Sequence, residues 1–176
     1  MKLTPPVSDQ DHILGAPDAP VTLVEYGDYE CPYCRQAHPI VQQIRRVMGD
    51  RLRFVFRHFP LAEVHPHAMH AAEGAESASA QGKFWPMHDV LYEKQGDLED
   101  VSLAAYAAEV GCDPERVLRD IATDAYEPKI RAHFMSGVRS GVNGTPSFFI
   151  NGRRHDGSWD LETLLAAVEE AATLRV

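Results

Sequence analysis

Two cysteines three positions apart, Cys31-Pro32-Tyr33-Cys34, stand where a strand-like run gives way to a helix-like one. Residues 21–26 are apolar and partly β-branched, the pattern of a buried strand. Beyond the cysteines, Ala37, Ile40, Val41, Ile44, Val47 and Met48 recur at the spacing of one buried helix face. Thiols at this spacing on a helix start can form a disulfide with little backbone change. The first thiol lies near unpaired N–H groups and the positive end of the helix dipole, which favour thiolate over thiol. A thiolate is the species that attacks disulfides, so the pattern points to redox chemistry on sulfur. Cys31 is the expected nucleophile. Cys34, one turn inward, is the expected resolving thiol.

Other uses of the pair fit less well. A structural zinc site takes four protein ligands. The chain has three cysteines, no second CxxC, and Cys112 stands alone. His65, His67 and His70 invite a metal reading, but Pro66 interrupts their periodicity and no carboxylate pair completes the set. No metal and no cofactor are expected. With 26 acids against 17 bases and a formal charge of −9, nucleic acid is not the expected partner. No stretch is long and apolar enough to suggest membrane insertion. The first six residues, Met1-Lys2-Leu3-Thr4-Pro5-Pro6, contain no apolar signal core. A cytoplasmic location is therefore the expectation for the chain as it stands, with an exported form lacking its leader as the alternative.

Residues 1–20 carry four prolines and read as an extended arm. Residues 21–57 read as strand–helix–strand, with Pro39 kinking the helix and alternation from Arg51 to Arg57 marking the second strand. From Leu61 to about Gly141 strand signals nearly vanish. Helices are expected over 68–80, 84–93, 102–110 and 114–121, with Asp113 as a cap and Pro114 at the first helical position. A last helix carries Tyr126, Ile130, Phe134 and Val138 on one face. Strands then return at 147–150 and 153–155 around Asn151-Gly152, a strong signal for a type I′ hairpin turn. Leu161, Leu164, Leu165 and Val168 close the chain with an amphipathic helix. The expected division is an arm at 1–20, an α/β domain at 21–60 and 142–176, and a helical insertion at 61–141.

CxxC after a first strand, the order β-α-β … β-β-α and the Thr145-Pro146 step before the third strand resemble the thioredoxin-like fold. The all-helical insertion is similar to the DsbA-like thiol-disulfide oxidoreductase branch of that superfamily. Local strings carry the same resemblance: residues 25–34 (EYGDYECPYC), 57–61 (RHFPL), 82–85 (GKFW) and 144–152 (GTPSFFING). The resemblance implies a cis Thr145–Pro146 bond, with the Thr145 backbone binding a client peptide in strand fashion. It also implies a buried acid at Glu25 that exchanges a proton with the inner thiol. The residue reading by itself leaves Glu25 equally open to being an exposed acid at a strand end. Pro32 and Tyr33 tune the cysteine pair and meet substrate. Tyr33 adds no positive charge, and Asp28 and Glu30 oppose the thiolate, so a moderate lowering of the Cys31 pKa is expected. Phe84, Trp85 and Cys112 are expected in the core.

The expected activity is thiol–disulfide exchange with cysteine-containing protein or peptide substrates and a separate electron donor or acceptor. The runner-up is a glutathione-linked, glutaredoxin-like reductase, since Cys-Pro-Tyr-Cys is also typical of glutaredoxins. A non-enzymatic redox sensor or holdase is the alternative from another class.

Overall fold

The computed structural model describes residues 1–174. The strands are β1 (His12–Gly15), β2 (Val21–Gly27), β3 (Leu52–His58), β4 (Ser147–Ile150) and β5 (Arg153–His155). The helices are α1 (Pro32–Met48), α2 (Ala68–Ser79), α3 (Phe84–Glu93), α4 (Asp100–Glu109), α5 (Pro114–Ala122), α6 (Glu127–Arg139) and α7 (Leu161–Thr173). One sheet has the order β1-β3-β2-β4-β5. This is the thioredoxin-like arrangement with a helical insertion between its halves.

The chain forms two compact units. Among the described residues, the first contains Met1–Gly27, Gln36–Arg57 and 135–174. Its central strand, β2, is buried at all seven positions, as its apolar, β-branched sequence predicts. Strand β4 runs antiparallel to β2, setting Glu25 opposite Phe148 and Tyr26 opposite Ser147. Helix α7 packs on β2 and β4. The β4–β5 turn places both Asn151 (φ 48°) and Gly152 (φ 80°) in the left-handed region, as a type I′ turn requires. In α1 the buried stripe is Ala37, Val41, Ile44 and Met48; Val47, expected on that face, is exposed. One residue of drift turns it about 100° away, because each helical position rotates by that angle.

The first twenty residues are more than an extended arm. Strand β1 pairs antiparallel with β3, from His12 opposite Phe56 to Gly15 opposite Arg53. Arg57 fastens the segment. Its Nε and Nη2 donate to the two carboxylate oxygens of Asp11 (2.7 and 2.9 Å). Its remaining N–H groups reach the carbonyls of Pro5 and Pro6 and the Tyr26 hydroxyl. Short, proline-punctuated sequence hid this strand, because its stability comes from β3 and Arg57 rather than from its own pattern.

The second unit contains Asp28–Arg35 and His58–Phe134. Alanines at 68, 71, 72, 75 and 78 are buried along α2, a narrow surface on which α3, α4 and α5 pack. Asp113 caps α5 by accepting from the N–H groups of Glu115 (3.0 Å) and Arg116 (3.4 Å), with Pro114 next in sequence. Phe84 and Cys112 are buried, while Trp85 is half-buried. The unit boundaries differ from the expected division. The cysteine turn groups with the insertion helices, and α6 is split at Met135. Residues 175 and 176 of the expected domain lie outside the described residues.

Candidate active site

Cys31 occupies the cap position of α1. Its N–H donates to the Asp28 carbonyl (3.1 Å), and its carbonyl accepts from the Arg35 N–H (3.1 Å), the first turn of the helix. Pro32 follows, where a missing N–H costs nothing and the fixed φ suits a helix start. Cys31 is only 3% exposed and Cys34 is fully buried, whereas Tyr33 between them is 59% exposed. The motif thus presents its dipeptide to solvent and keeps its sulfurs largely covered.

The backbone beside Cys31 is held from the insertion. The Gln95 side-chain amide donates to the carbonyls of both Tyr29 and Cys31, each at 2.8 Å. The Tyr29 hydroxyl pairs with His88 Nδ1 at 2.9 Å, and its ring leans on Tyr92. Gln95 lies 64 residues from Cys31 in sequence. No local pattern marks it, so sequence reasoning missed it.

Asp28 and Glu30 do not face the sulfur as bare charges. Asp28 Oδ1 accepts from the Glu30 N–H (2.8 Å), and Oδ2 accepts from the Leu61 N–H (2.9 Å) and His65 Nδ1 (2.7 Å). Glu30 Oε2 accepts from the His67 N–H at 2.6 Å. Two carboxylates before the motif therefore tie it to the 61–67 loop. Burial works against the charged form of His65. Its bond to Asp28 and the negative charges of Asp28, Cys31 and Glu30 outweigh that and hold the imidazole above its ordinary value. The three histidines diverge: His65 pairs with Asp28, His67 with Glu99 (3.6 Å), and His70, in α2, with Asp100 (2.6 Å). Each meets its own carboxylate, the ordinary use of a partly exposed histidine.

The remaining expected site residues belong to the first unit. The Thr145–Pro146 bond is cis. Glu25 is buried, which removes the exposed-acid alternative, and the register places it beside the strand that Pro146 leads into. A pocket of about 180 Å3 opens there, lined by Pro146, Phe148, His155 and Trp159 among others. The third cysteine, Cys112, is buried with its N–H donating to the Ala107 carbonyl. Burial pushes its thiol up, against the opposing charges of Lys83 and Arg116.

The profile of the family described as Thioredoxin matches residues 7–170. The chain is similar to a Na+/H+ antiporter, NhaA 1, of Salinispora arenicola, 46% identical over 169 residues, covering 96% of this chain and 26% of the antiporter. An NhaA of Herminiimonas arsenicoxydans is 44% identical over 170 residues, covering 96% and 27%. The chain thus spans about a quarter of the length of these curated relatives. Among described residues, no helix is long and apolar enough to cross a membrane. Among solved structures, a thioredoxin-like oxidoreductase from Silicibacter pomeroyi DSS-3 superposes with a TM-score of 0.80 at 32% identity, covering 94% of both chains. Oxidised BdbD from Bacillus subtilis gives 0.85 at 22% identity, covering 93% of this chain and 94% of that one.

Proposed function

The chain belongs to the thioredoxin family, and on that premise we propose that it is a DsbA-like member that exchanges disulfides with cysteine-containing proteins or peptides through Cys31 and Cys34. The observation that carries this reading is the cap position of Cys31, with Cys34 buried in the following turn. In the reducing direction, the Cys31 thiolate attacks one sulfur of a client disulfide, and the other client sulfur leaves as a thiolate. The Cys34 thiolate then attacks Cys31 Sγ and breaks the mixed disulfide. The client departs with two thiols, and the pair, having lost two electrons, is a disulfide. The reverse sequence oxidises a dithiol client and leaves the pair reduced.

Pro32 and Tyr33 meet the client at the exposed dipeptide. Thr145 and Pro146 receive its backbone, and Glu25 exchanges the proton of the inner thiol; the burial of Glu25 supports that role. The antiport activity in the names of the relatives is not assigned to this chain, which matches only a quarter of their length.

The test is catalytic turnover of insulin reduction by dithiothreitol and, separately, disulfide formation in a reduced model protein. Cys31→Ser abolishes turnover in both assays. Cys34→Ala accumulates a client adduct on Cys31, visible by non-reducing electrophoresis and mass spectrometry. Full turnover by Cys31→Ser overturns the proposal.

A further inference from the structure

The cysteine motif carries no cationic side chain of its own, since proline and tyrosine separate the two thiols. The structure supplies one from the 61–67 loop. Asp28 holds both partners in place: its backbone carbonyl accepts from the Cys31 N–H (3.1 Å), and its Oδ2 accepts from His65 Nδ1 (2.7 Å). The Leu61 N–H shares Oδ2, and the Glu30 N–H binds Oδ1, so the carboxylate cannot swing without breaking three bonds. The imidazole side chain is 20% exposed, while the Asp28 side chain is wholly buried.

We propose that His65, clamped by Asp28, is the cation that stabilises the Cys31 thiolate and so sets the oxidising strength of the Cys31–Cys34 pair. This rests on the reading of Cys31 as the attacking sulfur. Its physical basis is mutual. A negative sulfur favours the protonated imidazole, and the protonated imidazole favours the negative sulfur, by the same coupling free energy. Burial disfavours the charged ring, but the Asp28 carboxylate 2.7 Å away, with Glu30 and a thiolate at Cys31 from the same turn, favours it. Asp28 and Glu30 draw the proton to the ring. The sulfur then meets an ion pair whose positive member is the imidazole. A stabilised thiolate stabilises the reduced pair and makes its disulfide the stronger oxidant.

The experiment compares the wild type with His65→Asn and His65→Lys by thiolate ultraviolet absorbance across pH and by equilibration with glutathione. In His65→Asn the thiolate fraction at mildly acid pH falls about tenfold, the change that one pKa unit produces. The glutathione equilibrium shifts toward the protein disulfide by a similar factor, about 30 mV for a two-electron couple. His65→Lys restores both, because only the charge is required. A second measurement needs no change at His65: in Cys31→Ser, the His65 ring protons followed by NMR titrate at lower pH than in the reduced wild type. An unchanged thiolate titration in His65→Asn, an equal loss in His65→Lys, or an unshifted His65 in Cys31→Ser each overturns the proposal. If any of these occurs while Cys31→Ser lacks turnover, His65 loses its role and Cys31 keeps its own. Turnover by Cys31→Ser removes the underlying reading whatever His65 does.

Discussion

Glu73 shows what burial does to one group. It is fully buried in α2, where its Oε2 accepts from the Tyr126 N–H (2.9 Å) and its Oε1 has no hydrogen-bond partner among the described residues. Burial pushes its carboxyl up to about 7 from an ordinary 4.5; nearby Asp124, Glu127 and Glu76 add to this, and the Tyr126 N–H opposes it. Between those two values the folded protein holds a proton that the unfolded chain has released. The stability this group contributes is complete below the unfolded value and is lost as pH rises through 7. Glu73→Gln keeps the acceptor and removes the charge. At about pH 8 it raises Tm by roughly 2–4 °C, the shift that about 1 kcal/mol produces in a domain of this size, and at about pH 4 it leaves Tm unchanged. Thermal unfolding at several pH values checks this; a uniform shift at every pH contradicts it. Sequence reading did not single out Glu73, because a glutamate in an alanine-rich helix looks like a solvated residue. The helix entrance at Cys31 and Cys34, by contrast, was legible from the strand-like run before the pair and the helix-like run after it.

Elements with strong periodicity were equally plain. Strand β2, helix α1, the capped α5 and the Asn151-Gly152 hairpin each carry their signal within a few residues. Strand β1 does not. It is four residues long, and its place is fixed by β3 and by Arg57, far along the chain. Arg57 and Asp11 are each only 3% exposed in their side chains. Removing one member of a buried ion pair leaves the other charge unsatisfied, which typically costs about 3–5 kcal/mol. Arg57→Ala therefore destabilises the protein by about that amount in urea unfolding and opens residues 1–15 to proteolysis. A loss below about 1 kcal/mol, the range of exposed pairs, shows that the arm is held by other means.

At the scale of the whole chain, the division into units changes the meaning of the insertion. The expected division made it an addition between two halves of an α/β domain. Asp28 to Leu61 and His65, Glu30 to His67, and Gln95 to Tyr29 and Cys31 instead bind the cysteine turn to the insertion's own residues. These bonds join positions far apart in sequence with no shared periodicity, so linear reading could find the motif without its supports. Loosening the helices should loosen the cysteine turn with them. Cys112 offers a way to watch this. It sits between α4 and α5 in the same unit, covered and with its thiol raised by burial. In reduced native protein, alkylation of Cys112 follows hydrogen exchange of the α4 and α5 amides across a denaturant series. Rapid labelling while those amides stay protected contradicts this. A sulfur with no assigned part in the chemistry becomes an internal clock, dating each moment at which the helices part.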